Sequence, residues 1–200
     1  VRYARKAFSL IEAAIVLGIV GLVVGGIWIA ADMQRRAYGV ADAEKAVLSI
    51  ATGARNLFPL SNGMYPTGSG SGVAINITTT VIKSGLVPQN LISTSNNSIR
   101  ILNGTSWSIY LNGVLAGQNN SISLAGWAPD SASASRLVNA VIGAAGKSLL
   151  AYADCWDGTS MSTYVYWNGS VWPPASPLIC PPPGSGGQVM IGFYFYPNAN

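Results

Sequence analysis

Nineteen consecutive residues, Ala13 to Ala31, carry no charge: AAIVLGIVGLVVGGIWIAA. As a helix this run spans about 28 Å, close to the hydrocarbon thickness of a bilayer. Phe8, Leu10 and Ile11 extend its apolar character upstream. A helix that is apolar all round needs lipid or other helices on every side, so the run dictates where half of this chain can sit. Arg2, Arg5 and Lys6 precede it and favour a cytoplasmic N-terminus with the remainder outside, while Arg35 and Arg36 pull weakly the other way. The core of a secretory signal is shorter, about 7–15 residues before a small-residue cleavage site. Here the run leads straight into a second helical pattern, so the segment is expected to be retained.

That second pattern is amphipathic. Val40, Ala43, Val47, Ile50, Ala54 and Leu57 recur at intervals of three and four, with Asp42, Glu44 and Lys45 between them. Pro59 cannot continue a helix, so the end is expected near Phe58. A single helix from Phe8 to Phe58 would be about 76 Å long, far beyond an ordinary globular helix. The chain therefore divides into residues 1–7 as an N-terminal extension, 8–31 as a hydrophobic helix and 32–58 as its amphipathic continuation. Residues 59–200 make a globular head.

Only 9% of the residues are Asp, Glu, Lys or Arg, against about 25% in an average soluble protein. Ser, Thr, Asn and Gly must cover the surface instead, as is common for proteins working outside the cell. Beyond Arg55 the positive residues are Lys83, Arg100, Arg136 and Lys147, opposed by Asp130, Asp154 and Asp157. That is no basic stripe, and no specific nucleic-acid partner is expected.

Catalysis finds little material. Histidine is absent, which excludes a histidine-based triad, and no serine sits in a Gly-x-Ser-x-Gly elbow. Asp154 and Asp157, beside Cys155, read as decoration of a turn and supply too few oxygens for calcium. Two cysteines without histidine leave a zinc ion short of ligands. No enzyme activity, cofactor or metal is expected. Cys155 and Cys180 fit one disulfide made in an oxidising compartment, worth about 3 kcal/mol in the chain-entropy picture. The alternative is two separate buried thiols.

Within the head, Val73–Ile77, Ile99–Leu102, Trp107–Leu111, Thr163–Trp167 and Val189–Tyr196 read as strands. Asn103-Gly104 marks a hairpin and Asn112-Gly113 a turn. A second helix is expected from Ser131 to Ala151, with Val138, Val141, Ile142, Ala145 and Leu149 on one face and Ser131 or Ser133 as its cap. The proline-rich segment Pro173–Pro183 reads as loose, tied to the end of the second helix by the disulfide alone. These elements make an α+β chain with a long N-terminal helix packed on an antiparallel-sheet head that carries a second helix.

One feature of the apolar helix lies outside that account: Glu12 stands at its entrance, where a carboxylate is expensive unless paired or hydrated. The stretch RKAFSLIEAAIVLGIVGLVVGG resembles the processing site and first helix of type IV prepilins. The likeness covers about 25 residues directly and the rest by layout. It implies cleavage by a prepilin peptidase between Ala7 and Phe8, N-methylation of Phe8, and alignment of Glu12 with the terminus of a neighbouring subunit. Family members usually carry Gly where this chain has Ala7. A retained leader, or a terminus at Val1, would move the ammonium away from Glu12.

Leu17, Gly21 and Gly25 would then belong to the assembly face, Gly21 and Gly25 forming a small-xxx-small pair that lets helices approach closely. The resemblance further implies a major subunit of a homopolymeric pilus, closest to the type IVb branch. That subunit would wait in the bacterial inner membrane for its assembly machinery and later stand outside the cell, where a host or bacterial receptor could meet it. A minor pilin, a secretion pseudopilin and a membrane-anchored extracytoplasmic binding domain are the alternatives. Related pseudopilins often carry a calcium site, and the scarcity of ligands here favours a pilin.

Overall fold

The computed structural model describes residues 10–58, 74–93, 98–112, 121–146, 148–157, 165–167 and 176–196, without the side chains of 35–38, 103 and 165–167. The chain divides into two compact units, Val1–Tyr38 and Gly39–Asn200, and one helix, α1 (Leu10–Leu57), contributes to both. Phe58 closes it by donating its N–H to the Ala54 carbonyl at 2.9 Å. The expected start at Phe8 lies outside the described residues.

From Gly39 onward α1 belongs to the head. Val40, Ala43, Val47, Ile50 and Ala54 are buried in the core as their spacing predicts. Ala51 joins them, whereas Leu57 is 40% exposed, because at 3.6 residues per turn it falls at the edge of the stripe through Ala51 and Ala54, and Phe58, nearer the centre of that stripe, packs on the core instead. Gly53 allows close packing, since a Cβ there would sit 3.0 Å from the Leu86 side chain. Each large side chain buried along the stripe stabilises the head by about 1.5–3 kcal/mol.

The sheet is antiparallel and, among the described residues, has seven strands: β1 (Ala74–Asn76), β2 (Ile99–Arg100), β3 (Ser106–Asn112), β4 (Ser121–Ala128), β5 (Leu150–Trp156), β6 (Val165–Trp167) and β7 (Val189–Phe195). Their order is β1-β3-β4-β7-β5-β6, with β2 also pairing with β3. Strand β7 thus sits between β4 and β5 in the middle of the sheet. Strands β2 and β3 form the hairpin that Asn103-Gly104 signals, turning through Gly104 at φ 78°. Strand β2 is shorter than predicted because Leu102–Gly104 coils into that turn.

Core packing follows the strand alternation. Ile109, Leu124, Phe193 and Ala153 lie in register across four strands, and each is 1% exposed or less. Trp107 is the exception that crosses strands. It faces Gly126 of β4, and a Cβ there would lie 2.2 Å from the indole. The bare glycine lets the ring lie across β4 and stack on Phe193, with centroids 6.2 Å apart.

A short helix, α2 (Thr78–Lys83), follows β1 just past the expected strand end at Ile77, over residues for which the sequence suggests no element; the Asn76 side chain accepts the Thr78 N–H at 3.0 Å and turns the chain. Two expectations need correction. The second helix, α3 (Ser131–Ala145), stops six residues early because Gly146 takes φ 70° and releases the chain into β5. Its cap is Asp130, whose carboxylate accepts the Ser133 N–H at 2.7 Å, rather than Ser131 or Ser133.

Candidate functional site

Two parts of the molecule are candidates for function: the first half of α1 and the segment around Cys180. Every Leu, Ile, Val, Trp and Met side chain from Leu10 to Met33 is exposed, between 45% at Val24 and 88% at Leu10. Fourteen such side chains are too many for a surface in water, where large apolar patches are rare outside interaction sites. Their removal from water is worth on the order of 20 kcal/mol at about 1.5 kcal/mol each. The helix is long and apolar enough to cross a membrane.

Of the residues singled out in the sequence, Glu12 lies exposed in the first turn of α1, and Leu17 is 71% exposed. A Cβ added at Gly21 or Gly25 would meet nothing within 4 Å among the described residues, so their smallness serves no contact there. Ala7 and Phe8 lie outside the described residues.

Cys155 and Cys180 are joined, with their Cα atoms 5.6 Å apart. Cys155 belongs to β5 and not to the end of α3, because α3 has already ended at Ala145. The neighbouring Asp154 is likewise a strand residue, not a turn decoration: it is buried, and its carboxylate lies over the bare Cα of Gly192 on β7. Burial foremost, with the Asp154 charge, Tyr152 and a hydrogen bond to Asp154, raises the pKa of the Tyr194 phenol above the usual tyrosine value. Tyr152 meets Tyr194 edge to face at 5.0 Å.

The described part of the segment carrying Cys180 is fastened at Leu178 and at Cys180, contrary to the loose loop expected. Asn139 of α3 donates to the Leu178 carbonyl at 2.8 Å and accepts the Leu178 N–H at 2.9 Å. One turn earlier, the Ser135 hydroxyl accepts the Cys180 N–H at 2.8 Å, and Ser131 donates to the Cys180 carbonyl. Ser131, Ser135 and Asn139 stand at i, i+4 and i+8, a polar stripe whose spacing the sequence carries beside the apolar face.

Among the described residues, no group of three or more Asp, Glu, Cys or His is placed to hold a metal ion. The chain matches no protein-family model and no curated protein sequence. What it shares with type IV pilins is architecture: a long apolar N-terminal helix whose continuation packs on an antiparallel sheet that also carries a second helix.

Proposed function

We propose that the protein is the major structural subunit of a type IV-like pilus and that its work is polymerisation. The observation that carries this reading is the exposure of every large apolar side chain from Leu10 to Met33, on a helix whose continuation completes a self-contained head core. Lipid can cover such a helix before assembly and copies of the same helix afterwards. Both media are apolar, so exchange between them depends on close packing and polar pairing more than on the hydrophobic effect. Gly21 and Gly25 supply the close approach. Glu12 supplies axial register by pairing with the terminal ammonium of a neighbour that begins at Phe8.

In this reading the subunit sits in the bacterial inner membrane with its N-terminus in the cytoplasm, is cut by a prepilin peptidase after Ala7, and is extracted into a surface filament. Identical subunits are the principal partners, with the assembly machinery and a surface receptor beyond them. The size of the head, the late disulfide and the absence of proline from the first helix support the type IVb branch.

Intact mass and N-terminal sequencing of filaments sheared from producing cells test the proposal. Abundant chain starting at Phe8 is the expected result. Abundant chain starting at Val1 would keep the filament and remove the partner assigned to Glu12. Trace recovery from well-formed filaments points to a minor pilin or pseudopilin, and absence points to a membrane-anchored binding domain. Glu12→Gln is expected to abolish filaments and Glu12→Asp to reduce them; normal yield from both would sink the register argument.

A further inference from the structure

We propose that the polar stripe of α3 is a docking track that seats segment 176–181 before the disulfide closes, so that oxidation locks a strap already in place. Ser131, Ser135 and Asn139 are positioning residues for the joining of Cys155 and Cys180.

The geometry of the track fits an extended chain. Residues four apart on a helix are displaced by about 6 Å along its axis, and alternate residues of an extended chain by about 6–7 Å. Stepping from Asn139 to Ser135 therefore matches stepping from Leu178 to Cys180. Both backbone groups of both residues are taken up: N–H and C=O of Leu178 by Asn139, N–H of Cys180 by Ser135 and C=O of Cys180 by Ser131. This is the pattern by which a neighbouring strand would satisfy an edge, here supplied by side chains.

The donors are also committed in a consistent way. Ser135 donates its single hydroxyl proton to the Ser131 carbonyl at 2.7 Å, leaving lone pairs for the Cys180 N–H. Asn139 directs its amide nitrogen to both the Ser135 and Leu178 carbonyls. None of these bonds involves sulfur, so none depends on the oxidation state of the cysteines.

The segment is stiffened from within as well. Pro177 and Pro181 to Pro183 fix φ, and each restricts the residue before it to extended conformations. The entropy lost on docking is correspondingly reduced. Alternation then places Leu178 and Cys180 inward, 9% and 2% exposed, and Ile179 outward, 76% exposed. A strap held this way delivers the Cys180 sulfur to Cys155 by backbone recognition.

The chemistry needs an external disulfide oxidant. One cysteine thiolate attacks it and releases one thiol, and the second thiolate displaces the other. Overall two protons and two electrons leave the protein and one S–S bond forms.

The test equilibrates the full-length protein in detergent with mixtures of reduced and oxidised glutathione and reads the effective concentration of the two thiols. Ser135→Ala and Asn139→Ala are each expected to lower it about tenfold, the change for loss of a hydrogen-bond contribution of about 1.4 kcal/mol. Ser135→Thr keeps the hydroxyl and is expected to restore it, and exposed Arg136→Ala to leave it unchanged. Unchanged effective concentrations in both Ser135→Ala and Asn139→Ala would overturn the proposal.

A second measurement needs no variant of the track. In Cys155→Ser the amide protons of Leu178 and Cys180 are expected to remain protected from hydrogen exchange. Exchange at the rate of a free chain would show that the disulfide alone holds the strap.

Discussion

Ile19 and Ile50 lie on one helix, yet the first is 59% exposed and the second is fully buried. Around Ile19 apolar residues cover the whole circumference; around Ile50 they form a stripe with Asp42, Glu44 and Lys45 off it. Hydrophobicity alone does not bring a residue inside its own protein. A stripe can be matched by one sheet, whereas an all-round apolar surface can be satisfied only by a surrounding medium or by several other helices. The two regions thus belong to different problems, one of folding and one of what surrounds the helix.

Substituting the same residue type in each region offers the largest test. Ile50→Asp is expected to cost the head about 4–5 kcal/mol, because it places an unpaired charge in the core. Leu22→Asp should leave head stability within about 0.5 kcal/mol while sharply reducing membrane insertion and filament recovery. Denaturant unfolding followed by near-ultraviolet circular dichroism, beside membrane fractionation, reads both. Equal loss of head stability in the two variants would erase the distinction.

Within the head the comparison sharpens at Gly126. Gly126→Ala puts a methyl into the Trp107 ring and is expected to destabilise by about 1–3 kcal/mol, whereas Gly21→Ala meets nothing among the described residues and should leave head stability intact. Loss of the α3 cap in Asp130→Ala is expected to cost about 1 kcal/mol in the same unfolding assay.

The smallest effect is a pH dependence confined to the head. With the folded pKa of Tyr194 raised, its contribution is fully present below about pH 10, where the unfolded phenol is still neutral. Stability should fall as pH rises above that value, because the unfolded chain ionises first. Tyr194→Phe should flatten the slope in denaturant titrations between pH 9 and 11.

The two regions were also unequally legible in the sequence. The apolar run and the stripe through Val47 and Ile50 could be read directly, because period and composition decide them. The boundaries of α3 and β5 could not, since Gly146 sits within an otherwise helical pattern and only its φ of 70° reveals the break. Strand β4 carries a weak sequence signal, because SISLAGWA mixes Ser, Ala and Gly with few large residues, and its importance lies in what Gly126 leaves empty. The disulfide could be anticipated from cysteine number, but the strap could not. Its partners are backbone groups, which leave no mark on residue type except the serine and asparagine spacing across the helix.

The position of β7 has a consequence for the order in which a nascent head becomes safe. Residues 189–195 fill the gap between β4 and β5, so the sheet cannot close around an earlier part of the chain. Until they arrive, two long strands present bare edges capable of pairing with other chains. A head released N-terminus first is therefore at risk of aggregation from the emergence of β4 (Ser121–Ala128) until β7 (Val189–Phe195) follows, and safety comes in one late step. Any factor that shields it must stay bound until β7 has passed.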